Sequence, residues 1–596
     1  MSEDNRNIVL FAVIAALILL GWPLIAGKFM PAPPPKPARV AASNAAAPAT
    51  NPTTSAALEP AAAAAKTLRD RQAVIAETPR VAITTPALRG SINLKGARID
   101  DLVLLRHRET IKKDSPPVRL LSPSGAAHSY FAGFGWAGDG VTAPDKDSIW
   151  TADGPALTPE RPVTLSWNSP QGVQFRIRIA VDPDYMFSIQ QWVGNGSAAP
   201  VTVRPYGLIS RTGAPKEIDT WTNHVGPIGV FGPGANYDIG YPNLRGQEPS
   251  FFGKIFGTTA KPGANYFDAK GGWLGFGDMY WLTALIPDQQ ARVHAGFRGA
   301  AGDVFQADFS TPPVTIAPGK SATQTSRFFA GGKEVRLLDQ YQDDGHIANF
   351  DKAIDWGWFR IVEKPIFYYL DWLFRMIGNF GVAIILLTIT IRGLLFPIAQ
   401  RQFASMAKMK AIQPKMKALQ ERYKDDKARQ QQEIMALYKA EGANPLAGCA
   451  PTLLQIPIMY ALYKVLLLAT EMRHQPFVLW IRDLSAPDPL TPVNLFGLLP
   501  FTPPVFIAIG IIPILLGISM YFQFKLNPAP MDEAQKQVFA IMPWMLMFVM
   551  APFAVGLQIY WITSNTLTIL QQRLLYARHP EMLVPAPKKA KPAPKK

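Results

Sequence analysis

Apolar residues are spread unevenly along the 596-residue chain. Ile8 to Ile25 is an apolar run of a length that covers a bilayer. Five more lie in the C-terminal third, at Asn379–Pro397, Pro451–Ala469, Pro503–Phe522, Val538–Phe553 and Val555–Leu574. Each predicts a membrane-spanning helix, six in all. Pro457, Pro513 and Pro543 fall inside these runs, where neighbouring helices satisfy the freed carbonyls. The first run is long for a signal peptide, and no small-residue cleavage site follows it directly. It reads as an uncleaved anchor, residues 1–27.

Between the first run and the others the pattern changes to period two. Val173, Phe175, Ile177, Ile179 and Val181 alternate with Gln174, Arg176, Arg178 and Ala180, which predicts a half-buried strand. Asp182-Pro183-Asp184 supplies a turn after it. Glycine, proline and asparagine recur from Val81 to Ala330, so residues 67–350 are expected to form a large antiparallel β-sandwich. Residues 28–66 are rich in proline and alanine and read as a semi-rigid linker. Residues 351–378 include DWGWFRIVEKPIFYYLDWLFRMIG, predicting an amphipathic interfacial helix from Pro365 to Ile377; the alternative is the start of a longer span.

Charge sets the expected direction. Lysine and arginine total 60 against 44 acidic residues, a net charge of +16. Eleven of the basic residues fall in 392–450 and seven in the tail from Gln571, but only two in Met472–Thr502. By the positive-inside rule the first two regions face the cytoplasm. The expectation is a multi-pass protein of a bacterial inner membrane. Both termini, with the basic tail 579–596, are cytoplasmic and the large domain is periplasmic. Cys449 is the sole cysteine, so no internal disulfide forms, and the seven histidines show no metal-ligand spacing.

Two motif lookalikes fail on context. Gly133-Phe134-Gly135-Trp136-Ala137-Gly138 matches G-x-G-x-x-G but opens no helix. Gly319-Lys320-Ser321 resembles the end of a P-loop, but Val314 stands where the first glycine belongs, so a hairpin turn is expected. Phe276, Tyr280 and Trp281 line either a ligand groove or, as the commoner outcome, a core.

Arg392 is the most informative residue, because it follows the apolar stretch Val382–Ile391 and cannot escape by deprotonating. Either it snorkels to an interface or it faces a wet cavity. Thr388 lies one turn away on the same face. Gln455, Tyr560, Trp561, Ser564 and Asn565 are further polar positions in apolar runs, each read as either groove lining or helix–helix contact. Lys464 is expected to snorkel. In the hairpin 398–445, Met406, Met409, Ile412 or Gln413, Met416, Leu419 and Tyr423 recur every three or four residues. With Lys408 and Lys410 they form a surface for clients or ribosomes, or else an internal seam.

The runs T-I-R-G-L-L-F-P (390–397), S-M-A-K-M-K (405–410), Q-P-K (413–415), A-L-Y-K-A-E (436–441), N-P-L-A-G-C (444–449), P-F-V-L-W-I-R-D-L-S-A (476–486) and G-L-Q-I-Y-W with S-N (556–561, 564–565) closely resemble the YidC membrane insertases of the YidC/Oxa/Alb family, in the Gram-negative form with a large periplasmic domain. Gly271-Gly272-Trp273 and Trp281–Pro287 extend the likeness more weakly. The resemblance implies an α-helical six-span membrane domain, a five-helix insertase core at 379–578 plus the N-terminal anchor. It implies a hydrophilic groove with Arg392 as its arginine and Thr388 and Trp561 as substrate contacts. It implies nascent integral membrane proteins, the Sec translocon, ribosomes and membrane lipids as partners, with no cofactor, metal, small-molecule substrate or catalytic residue. The chain departs from the family at Phe553-Ala554-Val555-Gly556-Leu557, where F-P-S-G-L is common, at Trp561, which replaces a tyrosine, and at Lys464.

The function expected is that of an insertase and chaperone for integral membrane proteins, alone or with the translocon. A client's polar flank enters the groove beside Arg392, and its apolar segment passes into lipid. A polytopic small-solute transporter and a membrane-anchored carbohydrate-binding protein are the alternatives; the first lacks a visible internal repeat and the second needs paired carboxylates in a cleft.

Overall fold

A computed structural model describes residues 68–215, 223–245, 263–300, 303–424, 426–441, 450–499, 509–526 and 533–578. The anchor, the linker and the basic tail read from the sequence lie outside these residues. The described residues divide into two units. One runs to Gly357 and takes in Leu468–Thr470; the other holds Trp358–Leu467 and the residues from Glu471 onward.

The first unit is built on two large sheets. The eleven-stranded sheet runs in the order Ala264–Lys270, Arg292–Ala300, Val304–Ser310, Val201–Thr212, Tyr130–Asp139, Arg98–Arg108, Leu88–Asn93, Arg80–Thr84 and Ala156–Leu157. Val314–Ile316 and Pro117–Leu121 branch from it. The nine-stranded sheet runs Ala235–Asn236, Gly226–Val230, Trp273–Gly277, Trp281–Pro287, Ser321–Gly332, Met186–Asn195, Val173–Val181, Val163–Asn168 and Thr151–Ala152.

This corrects the expected antiparallel β-sandwich. The larger sheet is mixed, because Arg80–Thr84 pairs in parallel with Ala156–Leu157, and it is branched; neither sheet closes into a barrel or a simple sandwich. The physical reason is that alternation fixes which face of a strand is buried, not which distant strand becomes its neighbour. The alternation itself is sound. Val173, Phe175, Ile177, Ile179 and Val181 are all buried while Arg176 and Arg178 point outward. The turn that follows is an Asx turn, in which Asp182 Oδ1 accepts from the backbone N–H groups of Asp184 at 2.9 Å and Met186 at 3.0 Å.

Both motif lookalikes are structural. Gly133–Gly138 sits inside the strand Tyr130–Asp139, and a Cβ at Gly135 would lie 2.7 Å from the Tyr206 hydroxyl. Gly319 takes φ +71° in a tight turn that closes on Asn195. Phe276 is core, stacked on Tyr241.

The second unit is helical: α1 (Arg360–Ile377), α2 (Phe380–Leu394), α3 (Phe396–Arg422), α4 (Lys427–Ala440), α5 (Ala450–Leu468), α6 (Ile511–Leu526), α7 (Glu533–Met550) and α8 (Val555–Arg578). Local chemistry sets the boundary between α1 and α2. Gly378 adopts φ +74° and caps α1, and the Asn379 side chain accepts from Val382 N–H at 3.1 Å to start α2. Phe367, Leu370 and Leu373 form the buried stripe of α1, while Ile361, Trp372 and Met376 are exposed.

Among the described residues no helix is long and apolar enough to cross a membrane. This overturns the six-span domain and the multi-pass topology of the inner membrane that the apolar runs predict. Helix ends cut across some of the runs, and polar residues dilute another. The run Asn379–Pro397 is divided at Leu395, leaving α2 with 15 residues; at about 1.5 Å per residue that falls short of a hydrocarbon core of roughly 30 Å. The helix within Pro503–Phe522 begins only at Ile511 and α6 has 16 residues. The longer α8 carries Gln558, Ser564, Asn565, Thr566, Thr568, Gln571 and Gln572.

Candidate functional site

α2 and α8 pack together and bring the polar positions of the sequence into one place. Arg392, near the end of α2, donates from Nε to Ser564 Oγ on α8 at 3.1 Å, and its Nη2 donates to the same oxygen. Ser564 is 1% exposed and Arg392 is half-buried. Tyr560, one turn before Ser564, is buried and lies near enough to interact with the guanidinium. No carboxylate among the described residues pairs with Arg392. The arginine thus keeps part of its donor fork unspent beside a buried hydroxyl pair.

The other predicted positions have separate roles. Thr388 is buried, but its hydroxyl donates to Ile384 O at 2.7 Å on its own helix. Asn565 faces α6, donating from Nδ2 to Ser519 Oγ at 2.9 Å. Trp561 is partly exposed. The side chain of Gln455 lies outside the described residues. In the α3–α4 hairpin, Met416 is buried and accepts from the Tyr438 hydroxyl at 3.1 Å, while Lys415 pairs with Glu441 at 2.5 Å. Met406, Lys408, Met409 and Lys410 fall on α3, with side chains outside the described residues.

Two features escaped the sequence reading, and a third residue behaves otherwise than expected. Gln558 is wholly buried and donates to the carbonyls of Met550 and Phe553, both at 2.9 Å. Its signal was available, since Gln558, Asn565 and Gln572 recur at heptad spacing on α8 and are all buried. Asp488 is buried and accepts from Trp480 Nε1 at 3.0 Å, Leu490 N–H at 3.0 Å and Ile512 N–H at 2.8 Å, pinning the 476–490 loop to the start of α6. No periodic pattern marks it. Lys464, expected to snorkel, is only 1% exposed and is packed inside the helical unit.

Known families account for nearly the whole chain. The YidC periplasmic domain matches residues 80–369, and the 60Kd inner membrane protein matches residues 372–582. The membrane protein insertase YidC of Zymomonas mobilis is 46% identical over 97% of this chain and 96% of its own length. The chain belongs to the YidC membrane protein insertase family. Its relative in Acidiphilium cryptum, also a membrane protein insertase YidC, is 48% identical over 83% of this chain and 84% of its own. The crystal structure of an active YidC insertase with the first transmembrane domain resolved is 17% identical over 83% of this chain and 92% of its own, at a TM-score of 0.35, which bears on neither fold nor site.

Proposed function

We propose that the α2–α8 seam receives the polar flank of a nascent membrane-protein segment, with Arg392 as its recognition group. Insertase and chaperone activity, without bond chemistry, comes with the family. The observation that carries the site is the half-buried guanidinium of Arg392, held by the buried Ser564 hydroxyl and left without a carboxylate among the described residues. Such a cation binds an acidic or amide-rich flank through charge-assisted hydrogen bonds. The adjoining surface suits the client's apolar part. Leu515, Ile518 and Phe522 on α6 and Trp544, Phe548 and Val549 on α7 are exposed. A client bound at the seam passes from polar contact to apolar surroundings, driven by transfer of its side chains from water.

The α3–α4 hairpin is the proposed docking element for ribosomes. Lys417, Arg422, Lys424, Arg429 and Lys439 crowd its two helices and the turn between them. The Sec translocon and membrane lipids are the remaining partners of this reading. Thr388 and Trp561 flank the seam and serve as positions for photo-crosslinkers against a ribosome-stalled single-span client.

The direct test is insertion by Arg392→Ala and Arg392→Lys. Loss of one charge-assisted contact lowers insertion of a client with an acidic flank by roughly tenfold in the alanine variant, with partial recovery in the lysine variant. If both variants insert every client at the normal rate, Arg392 is not the recognition group.

A further inference from the structure

At one end of the larger sheet, the strands Ala264–Lys270, Arg292–Ala300, Val304–Ser310 and Val201–Thr212 surround an open cavity of about 560 Å³. The volume fits a small ligand. The pairing register sets Lys270 directly opposite Arg292. Two like charges facing each other across antiparallel strands destabilise the sheet unless something neutralises them. Arg204 adds a third cation to the lining. The cavity's one carboxylate, Asp268, is already taken by His294 Nδ1 at 2.7 Å. Asp308, two residues before the lining Ser310, is held by Arg298 at 2.7 Å.

Deeper polar atoms of the lining are closed to solvent. Thr311 lines the same cavity, is 5% exposed, and its hydroxyl has no hydrogen-bond partner. Arg204 Nε is likewise buried and unpartnered. Neither atom has accessible surface, so the contacts available to a ligand in the open space come from the exposed side chains. The lining therefore offers two exposed cations, Lys270 and Arg292, with Arg204 beside them, around one space.

We infer that this cavity is a binding site for a phosphate-bearing ligand, gripped by Lys270 and Arg292 with the Arg204 guanidinium beside them. A single carboxylate has one charge and two oxygens, and leaves cations or donors unmet. A phosphate monoester offers up to two charges and three terminal oxygens, and guanidinium groups match it geometrically. The space beyond one phosphate admits a small organic group. The phosphate comes either from a lipid headgroup or from a free soluble compound. The inference is independent of the Arg392 seam, so neither result decides the other.

The test is calorimetric titration of the purified full chain in detergent, with inorganic phosphate and, separately, with dihexanoyl phosphatidic acid below its micelle concentration. Saturable binding that weakens roughly tenfold in Lys270→Gln/Arg292→Gln supports the site. Both charged side chains are exposed, and removing their mutual repulsion leaves the thermal midpoint of the variant unchanged or raised. Tighter binding of the lipid than of inorganic phosphate assigns the site to a headgroup; equal affinities assign it to soluble phosphate. Absence of saturable binding by either probe, or unchanged affinity in the double variant, overturns the inference.

Discussion

The two units differ in how many large apolar side chains they leave exposed and in how they bury polar ones. In the sheet unit the centre is apolar and several of its buried charges are paired. Arg211 meets Asp278 at 2.6 Å, Arg298 meets Asp308 at 2.7 Å, and Arg80 pairs with Asp100. Large apolar side chains are almost all inside. In the helical unit Gln558, Ser564, Asn565 and Gln572 are buried on α8, while Leu394, Leu479, Ile541, Trp544 and Phe548 are exposed. The comparison separates stability from function. The sheet unit follows the rule for a protein folded against water. The helical unit also has an apolar interior, with Phe367, Leu370, Ile384 and Leu462 buried, but it adds buried amide and hydroxyl groups on α8 and leaves large apolar side chains exposed, the surface on which the proposed function draws.

That contrast breaks most sharply at the buried pairs. Asp278→Ala strands Arg211, whose guanidinium also lies 4.8 Å over the Tyr130 ring. It should cost the sheet unit about 3–5 kcal/mol, measured by chemical denaturation, whereas replacing Arg211 and Asp278 together by methionine and leucine should cost far less. Should the double replacement prove as damaging as the single one, the pair is more than mutual neutralisation. The helical counterpart is Asp488→Ala, which releases three donors at once and should cost roughly 2 kcal/mol while loosening the 476–490 loop. Hydrogen exchange at Ile512 and Leu490 reads that loosening directly.

The smallest expected effect is pH-dependent. Burial pushes the Glu334 carboxyl up, but hydrogen bonds from His107 and Tyr185 and the charges of His107 and Arg106 outweigh it and hold the group below its usual range. A depressed carboxyl stabilises the fold above its unfolded pKa, and that contribution disappears as pH falls through the lower folded value. The wild-type sheet unit should therefore lose about 1 kcal/mol on acidification below the ordinary carboxylate range. Glu334→Gln should remove that slope. An identical acid limb in the variant would show that Glu334 does not control it.

Legibility in the sequence also differs between the units. In the sheet unit the strand Val173–Val181 and its Asx turn could be read residue by residue, because side-chain alternation and an Asp-Pro-Asp turn are local. The mixed sheet could not, because the pairing of Ala82 with Ala156 joins residues with no sequence signal in common. In the helical unit the apolar runs pointed to helices, but not to their ends. The break at Leu395 and the late start at Ile511 depend on capping and on neighbours.

The candidate site divides in the same way. Sequence alone determined that Arg392 is anomalous, because a permanent charge after ten nearly apolar residues must find a partner wherever it goes. It also determined the shared faces of α8, since those follow from the helical repeat. Only the tertiary structure decided that the partner is Ser564, that Thr388 spends its hydroxyl on its own helix, and that Lys464 is buried instead of snorkelling. The physical reason is range. Periodicity and local hydrogen bonding act over a few residues and are written into the order of the chain. The choice between two solvents for a charged group depends on what packs against it, and in this protein that is settled by residues as far apart as 392 and 564.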